Sequence, residues 1–174
     1  MKGVIFHAIK ELVIEKFGKE KWEEILNKSE FDKERIVLAA SDVDDEKMMK
    51  IISACLEVLN LSLTQLADAF GDYWVNVYTQ RLYWVYYKES KNAKDFLLKM
   101  DIVHFKLTKD IPNARPPRFE YEWKDDHTLI MHYHSKRKLI DLVVGIAKAV
   151  GKYYKEDLQV KKLSEDKVEI KFNY

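Results

Sequence analysis

The stretch Arg-Pro-Pro-Arg-Phe-Glu-Tyr-Glu-Trp at residues 115–123 divides the chain into two parts with different patterns. Two consecutive prolines cannot continue a helix, because proline lacks the backbone N–H and its ring clashes with the preceding turn. The residues after them alternate between aromatic and charged side chains, which is the period of a half-buried strand. The chain is therefore predicted to change here from helices to a sheet.

The part of the chain before this stretch is predicted to be helical. Apolar residues recur about every 3.6 positions from Val4 to Phe17 and from Met48 to Leu59, so each run would bury one face of a helix. A shorter helix is expected around Trp22, and Tyr73 to Tyr87 keeps helical spacing as well. Residues that commonly start or stop helices give the expected limits: Gly18, Ser41 or Asp42, Ser62, Gly71, and Ser90 or Asn92.

The part after this stretch is predicted to form a hairpin, a helix and a second hairpin. Alternation resumes from Leu129 to Arg137 after a turn at Asp125-Asp126. Leu139 to Tyr154 returns to helical spacing. Two further strands, Leu158–Leu163 and Val168–Phe172, are expected to close the chain.

This order of elements predicts an α+β fold in one domain that covers all 174 residues. The helices of about residues 1–65 would form an N-terminal lobe. The chain from about residue 66 onward would form a C-terminal lobe with helices and an antiparallel sheet of about four strands.

The composition argues against several classes of partner. Lysine and arginine (30) nearly cancel aspartate and glutamate (29), and the net charge of +1 gives no electrostatic reason to expect nucleic acid or an anionic membrane. The most apolar stretch, Leu139–Val150, is too short to span a bilayer. The single cysteine, Cys55, cannot form an intrachain disulfide. Because no signal peptide is visible either, we predict a cytoplasmic protein.

His104 is the first candidate functional residue, because it lies on the apolar stripe of a predicted helix. Its ring is therefore expected to point into the core. Two interpretations follow: a buried histidine that hydrogen-bonds a nearby carbonyl, or a neutral imidazole that holds a haem iron as its axial ligand. The pattern alone leaves both open. The stripe consists of Phe96, Leu97, Met100, His104 and Leu107.

Tyr133, Ser135 and Arg137 form the second candidate site. Alternate residues of an extended segment share one face, so two hydroxyls and a guanidinium would project together and bind an anion such as a carboxylate. The alternative is a polar sheet face exposed to water. On the opposite face, His132 and His134 have the i, i+2 spacing of a metal pair. Without a third ligand nearby, this spacing favours a solvated surface over a small metalloenzyme.

The sequence contains no motif of a common enzyme class. Neither a Gly-x-Ser-x-Gly elbow nor a glycine-rich phosphate loop occurs among its five glycines. Cys55 falls on an apolar helical stripe and is expected to be a packing residue rather than a nucleophile. These residues therefore give no support to the common enzyme classes.

Taken together, these features resemble the H-NOX family, the haem nitric oxide/oxygen-binding domains of bacteria and of soluble guanylate cyclase. The resemblance is nearly full length. Its most specific part is the motif Tyr-x-Ser-x-Arg, which stands intact at Tyr133, Ser135 and Arg137, downstream of His104. The other matching stretches are Met1-Lys2-Gly3, Asp42-Val43-Asp44-Asp45-Glu46, Ala69-Phe70-Gly71-Asp72-Tyr73-Trp74, Met100-Asp101-Ile102-Val103-His104, Arg115-Pro116-Pro117-Arg118 and Gly145.

The resemblance implies haem b as the cofactor, buried between the two lobes, with His104 as the proximal iron ligand. Tyr133, Ser135 and Arg137 would bond the haem propionates, and Pro117 would press on the porphyrin. The family's other cofactor-binding positions fall at Ile5, Trp74, Tyr78, Met100, Phe119, Leu142 and Ile146, and Asp45 matches an acid that approaches the motif arginine in relatives.

Three departures from the oxygen-binding members of the family predict which gas binds. Those members carry a tyrosine, a tryptophan and an asparagine at positions that are Leu142, Ile9 and Trp74 here. Bound oxygen is polar and needs a hydrogen-bond donor in a dry pocket, whereas bound nitric oxide carries much less charge. The chain is therefore expected to bind nitric oxide and carbon monoxide and to exclude oxygen. Tyr78 replaces a phenylalanine of an oxygen-binding relative, and whether its hydroxyl reaches the ligand is left open.

The mechanism implied by the family is a relay. Nitric oxide would weaken the bond to His104, release the helix that carries it and let the haem relax against Pro117, which shifts the N-terminal lobe through Ile5. The partner would be a histidine kinase or a cyclic-di-GMP enzyme acting in trans, in a bacterial cell. Two alternatives remain: an oxygen or redox sensor of the same fold, and a haem-free ligand-binding or adaptor domain.

Overall fold

The computed structural model describes residues 1–173 and confirms the α+β class. Helices come first along the chain, and the four strands form one antiparallel sheet. The chain separates into two compact units, Met1–Leu66 with Ile111–Ala114, and Ala67–Asp110 with the chain from Arg115 onward. The assignment of the whole chain to one domain stays a prediction.

The first unit is built from helices whose apolar faces meet. Helix α2 packs against both α1 and α3. Gly18 separates α1 from α2 with φ of +92°, a backbone conformation that residues with a Cβ rarely adopt, and this confirms the predicted stop. Cys55 is fully buried, and burial raises the pKa of its thiol to about 12, so its predicted packing role is confirmed. The bounds are α1 Gly3–Phe17, α2 Lys19–Lys28 and α3 Asp45–Leu59.

The N-cap of α3 differs from the prediction of Ser41 or Asp42. The cap is Asp44, whose carboxylate accepts hydrogen bonds from the backbone N–H groups of Glu46 and Lys47. Ser41 instead belongs to the preceding loop, where its hydroxyl accepts from the N–H of Leu38 at 3.1 Å. The residue that caps α3 is therefore Asp44, which directly precedes the helix, and not Ser41 or Asp42.

Helix α4, Leu63–Tyr73, begins as predicted at Ser62, which exchanges two hydrogen bonds with Gln65 in a capping box. It does not stop near Gly71. The chain continues directly into one turn of π-helix, Trp74–Tyr78, and then into the short helices α5, Thr79–Leu82, and α6, Trp84–Lys88. The prediction that residues 73–87 are helical is thus correct. The helix begins with a π-helical turn instead of an α-helical one, and it is interrupted at Tyr83.

The remaining elements follow the predicted order. Asn92 caps α7 by accepting a hydrogen bond from the N–H of Asp95 at 2.8 Å, which decides between the two predicted caps. The strands are arranged in the order β1-β2-β4-β3. Strand β2 ends at His134 rather than at Arg137, and this corrects the predicted strand limit. The bounds are α7 Ala93–Thr108, β1 Arg118–Asp125, β2 Thr128–His134, α8 Ile140–Tyr154, β3 Leu158–Lys162 and β4 Lys167–Phe172.

Helix α8 forms the centre of the second unit. It packs on the sheet through β3 and β4 and also contacts α7 and the π-helical turn. Glycines allow it to cross α4 closely: a Cβ on Gly145 would lie 2.1 Å from the Ala67 carbonyl oxygen, and one on Gly71 would lie 2.3 Å from the Gly145 carbonyl. The core between α8 and the sheet consists of Ile140, Val144, Ala147, Val150, Leu129, Met131, Val168, Ile170 and Phe172.

The apolar stretch Leu139–Val150 therefore has its place in the core of this unit. Among the described residues, no single helix combines the length and the apolar character needed to cross a membrane. One pair of helical stretches, Asp45–Leu59 and Leu63–Leu82, meets the criteria only jointly and is bent by 107° between its halves.

Candidate functional site

His104 lies on α7 with one ring nitrogen fully enclosed. No described residue completes a hydrogen bond with its Nδ1. Burial lowers the pKa of the imidazole, and the opposing effects of the Pro117 backbone and the Asp101 carboxylate are smaller. The neutral form is therefore favoured, and a neutral imidazole is the form that binds metals. The contact with the Pro117 backbone fits a histidine that hydrogen-bonds a neighbouring carbonyl, and the unpartnered Nδ1 fits a metal ligand, so both interpretations remain predictions.

Two buried aromatic rings connect His104 to the sheet. The ring of Phe119 on β1 lies 5.7 Å from the His104 ring, centroid to centroid, and 5.9 Å from the ring of Tyr133. Phe119 and Tyr133 are direct cross-strand partners on β1 and β2. The first candidate site and the first residue of the motif are thus brought together, although they are far apart in the sequence.

An ion pair fixes α7 to β1 one turn before His104. The guanidinium of Arg118 donates two hydrogen bonds to the Asp101 carboxylate, at 2.7 and 2.6 Å, and the N–H of Phe119 donates a third at 2.9 Å. The Arg118 hydrogen bonds are the main cause that lowers the pKa of Asp101 to about 2. One turn earlier on α7, the carbonyl of Leu97 accepts a hydrogen bond from the Tyr121 hydroxyl of β1 at 2.9 Å.

The sequence did not predict this clamp, the Asp101–Arg118 ion pair that joins α7 to β1. Asp101 and Arg118 both lie in stretches that were matched to the family, but no role was assigned to either. The only available signal was an acid one turn before the candidate ligand and an arginine at the start of the next strand. Such residues pair only if the chain folds back at the two prolines, which spacing along the sequence cannot show.

The motif residues Ser135 and Arg137 lie in a turn, not on a strand. The N–H of Lys138 donates to the carbonyl of Ser135, and the Ser135 hydroxyl accepts from the N–H of Arg137 at 3.3 Å. The reason predicted for their common face is therefore wrong, since β2 has already ended. Burial nevertheless alternates: Tyr133 is buried, Ser135 and Arg137 are half-buried, and the residues between them are exposed.

The guanidinium of Arg137 donates to the carbonyl of Arg115 at 2.7 Å. That carbonyl lies in the loop between α7 and β1, which also contains Pro117. The turn after β2 and the proline loop are therefore in direct contact, and Pro117 itself is half-buried. Three of the predicted groups, the motif arginine, the proline and His104, lie around this one loop.

The predicted residues Trp74 and Tyr78 lie on the π-helical turn. Their rings stack at 5.6 Å, and Trp74 stacks equally on Phe70, so the three rings form a column. This column agrees with a packing role for Trp74, since its ring also contacts the core of the unit.

The other predicted residues are placed as follows. Met100 and Ile146 are partly buried against the core of the second unit, and Leu142 is half-buried at the start of α8. Ile5 is half-buried and Ile9 is buried on α1, in the first unit. Asp45 accepts a hydrogen bond from the N-terminal ammonium within that unit.

His132 and His134 each face an acid of the neighbouring strand. His132 lies 3.0 Å from Glu122, and His134 lies 3.5 Å from Glu120. Within residues 1–173 no group of three or more histidine, cysteine, aspartate or glutamate side chains could hold a metal ion. The two histidines therefore act as members of cross-strand polar pairs on a solvated face.

A half-buried histidine on a helix, favoured in its neutral form, is a group that can ligate haem iron. The Haem-NO-binding (HNOB) family model matches residues 2–162, and the chain belongs to this family. Soluble guanylate cyclase gcy-34 of Caenorhabditis elegans is 32% identical over 160 residues, which cover 87% of this chain and 23% of that protein. Soluble guanylate cyclase gcy-35 is 25% identical over 174 residues, 97% of this chain and 25% of that protein. The chain thus spans about a quarter of the length of these relatives.

Solved structures agree with this assignment over the full chain. A Cs H-NOX that carries 4-cyano-L-phenylalanine has a TM-score of 0.88 at 25% identity, covering 100% of this chain and 97% of that chain. An oxygen-binding H-NOX domain related to soluble guanylate cyclases, solved as its oxygen complex, has a TM-score of 0.84 at 25% identity, with 100% and 96% covered. An H-NOX protein from S. oneidensis in the Fe(II)NO state, at 18% identity and TM-score 0.87, supports the fold alone. The chain therefore has the fold of a family of haem-binding gas sensors, which are sensor domains rather than catalysts.

Proposed function

We propose that this chain senses nitric oxide through haem b, with His104 as the iron ligand. The observation that carries the proposal is the His104 imidazole: it is favoured in its neutral form, and its enclosed Nδ1 lacks a hydrogen-bond partner among the described residues. A buried polar nitrogen without a partner is costly. A neutral ring on a helix, with one enclosed nitrogen that lacks a partner among the described residues, is suited to metal ligation.

The residues around the proline loop would hold the cofactor. When bound, haem b would supply a ferrous iron that takes a diatomic gas. Tyr133, Ser135 and Arg137 would bond the propionates, since two hydroxyls and a guanidinium are matched to carboxylates. Pro117, on the loop whose Arg115 carbonyl already accepts from Arg137, would contact the porphyrin. Contacts from Met100, Phe119, Trp74, Tyr78, Leu142, Ile146 and Ile5 rest on the resemblance.

The gas selectivity follows from the polarity of the expected pocket. The side chains of Leu142 and Ile9 have no hydrogen-bond donor, and we expect Trp74, whose ring stacks on Phe70 and Tyr78, to be a packing residue. A polar bound oxygen would therefore lack stabilisation in a dry site, whereas nitric oxide and carbon monoxide would lose little. We infer that the chain binds the latter two and excludes oxygen.

The signal would leave through α7. His104 shares this helix with Asp101, whose clamp to Arg118 holds the helix on β1. Loss of the His104 bond to the metal would remove this attachment of the helix and shift the balance between two positions of the helix. The receiver would be a histidine kinase or a cyclic-di-GMP enzyme acting in trans. The names of the C. elegans relatives add a guanylate cyclase as the alternative receiver.

An absorption spectrum and one variant test the proposal. The purified chain should show the Soret band of a haem protein, and its ferrous form should change on addition of nitric oxide or carbon monoxide. His104→Gly should lose haem unless free imidazole is supplied. The control is His134→Gly, which removes a half-exposed histidine from the sheet face and should retain haem.

The same measurements separate the alternatives. A chain that is purified without porphyrin and takes none up would be a ligand-binding or adaptor domain. A stable oxygen complex in air would indicate an oxygen sensor of the same fold. Full haem content in His104→Gly without imidazole would remove His104 from the site.

A further inference from the structure

The π-helical turn Trp74–Tyr78 is held by side chains as well as by its backbone. The Trp74 carbonyl accepts the N–H of Thr79, the i to i+5 bond of the π-turn, and also the Thr79 hydroxyl at 2.7 Å. The next carbonyl, that of Val75, accepts the side-chain amide of Gln80 at 2.7 Å. Such turns are rare and tend to occur at functional sites. Two side-chain donors at consecutive carbonyls indicate that this one is specifically stabilised.

A buried tyrosine completes this arrangement. The Tyr87 hydroxyl lies 2.7 Å from Thr79 Oγ1, and both residues are buried. Because the single hydrogen of the Thr79 hydroxyl goes to the Trp74 carbonyl, Tyr87 must be the donor to Thr79. Burial raises the pKa of the Tyr87 phenol to about 12, so the donor hydrogen is present at any physiological pH. The direction of the chain of bonds is therefore fixed, from Tyr87 to Thr79 to Trp74.

Tyr87 is also attached to the helix that carries His104. Its ring stacks on Phe96 of α7 with 4.4 Å between centroids, and its carbonyl accepts the Tyr154 hydroxyl at 2.6 Å. At the other end of the chain of bonds, the π-turn sets the direction of the stacked Trp74 and Tyr78 rings. The hydroxyl pair therefore connects the ring column to α7 through buried, directional contacts.

We propose that Thr79 and Tyr87 are positioning residues for gas discrimination. They hold the π-turn in one geometry relative to α7, and thereby fix the Trp74 and Tyr78 rings, which the proposed function places beside the haem. This inference rests on the proposed function. Neither residue contacts the gas: they act through the turn between them and the rings.

The test uses variants that remove one hydroxyl at a time. Thr79→Val and Tyr87→Phe keep the side-chain size, and Thr79→Ser keeps the hydroxyl. The matched control is Ser29→Ala, which removes another buried hydroxyl that donates to a helix carbonyl, that of Leu26, but lies outside the π-turn. Two readouts are made on the chain as purified: the C–O stretching frequency of the ferrous carbon monoxide complex, and hydrogen exchange at the Thr79 amide.

We expect Thr79→Val and Tyr87→Phe to speed exchange at this amide by about tenfold, the factor for one hydrogen bond. Both should shift the C–O stretch in the same direction, with the double variant no larger than the greater single effect, because the two hydroxyls bond each other. Thr79→Ser and Ser29→Ala should match the wild type in both readouts.

The other possible results would each contradict one step of this proposal. Faster exchange with an unchanged C–O stretch would make the hydroxyl pair purely structural and refute its role in gas discrimination. An unchanged exchange rate would refute the connection itself. If the wild type binds no haem, both the proposed function and this inference are refuted. If the variants bind haem fully and their spectra match the wild type, only this inference is refuted.

Discussion

At the scale of single residues, Asp101 has a strongly lowered pKa in the candidate site. Its carboxylate accepts three hydrogen bonds, two from Arg118 and one from the backbone of Phe119, and only about a quarter of its side chain is exposed. The pKa falls from the usual 3.8 to about 2. Its folded pKa lies below its unfolded pKa, so its contribution to stability is complete above about pH 4 and is lost as the pH falls towards 2.

We therefore predict that Asp101→Asn lowers the free energy of unfolding at pH 7 by roughly 1–2 kcal/mol. The difference from the wild type should shrink between pH 4 and pH 2 and vanish below, where both proteins are neutral at this position. Urea titrations across this range measure it. The control is Lys124→Ala, which breaks the Lys124–Glu169 pair on the same sheet and leaves α7 untouched. A difference that stays constant down to pH 2 would contradict the assignment.

At the scale of elements, the turn after β2 positions the arginine that we propose to bind a haem propionate. Arg137 is half-buried and directed to the Arg115 carbonyl, whereas Lys136 beside it is exposed. A charge-assisted hydrogen bond to a propionate contributes roughly 1.5–3 kcal/mol, so Arg137→Ala should raise the rate of haem loss about tenfold or more. Transfer of haem to apomyoglobin measures this rate.

Lys136→Ala is the comparison for this turn. Lys136→Ala should lose haem at the wild-type rate. Equal rates for Arg137→Ala and Lys136→Ala would argue against a propionate site at this turn.

The crossing of α4 and α8 gives a second prediction at this scale. A Cβ on Gly145 would meet the backbone of Ala67 at 2.1 Å, and a backbone atom cannot rotate away. Gly145→Ala should therefore cost about 1–3 kcal/mol of stability by overpacking, in spite of the better helix propensity of alanine. Gly151→Ala on the same helix meets the side chain of Leu158 at 2.7 Å instead, and this side chain can adjust. Thermal unfolding should show a clearly smaller loss for Gly151→Ala, and the reverse order would contradict the crossing.

At the scale of the whole molecule, the prediction concerns which gas the sensor reports. The ferrous protein should form complexes with nitric oxide and carbon monoxide but no stable oxygen complex in air. Installing a donor with Leu142→Tyr should raise the oxygen affinity by about tenfold or more, since a hydrogen bond to developing charge in a dry site contributes a few kcal/mol. Leu142→Phe is the matched control, because it adds the ring without the hydroxyl.

The Soret and visible bands of reduced protein exposed to air give the result. A persistent oxygen spectrum in the wild type would contradict the selectivity. Its loss in Tyr78→Phe would then identify the Tyr78 hydroxyl as the donor. If Leu142→Tyr and Leu142→Phe behave alike, the position does not face the gas.

The sequence by itself determined the elements and the candidate ligand. Apolar spacing located α1, α2, α7 and α8, because a helix that buries one face must repeat its apolar residues every 3.6 positions. The same spacing put His104 on the buried face of α7. Strand alternation after the two prolines located the hairpins for an equivalent reason. These are local consequences of backbone geometry, and each can be read without knowing the rest of the chain.

Tertiary structure alone decided how the elements end and what surrounds His104. Ser41 does not cap α3, because its hydroxyl accepts a hydrogen bond within the preceding loop, and Asp44 is the cap instead. Strand β2 ends at His134, where the chain enters a turn. The Asp101–Arg118 pair and the Thr79–Tyr87 pair join residues whose closeness depends on how the chain folds back on itself. The pKa of His104 is lowered by burial, a property of the packed molecule and not of the residue. Contacts between distant segments thus set the environment of a histidine that the sequence places on an apolar stripe, and this environment favours the neutral form that we propose as the iron ligand.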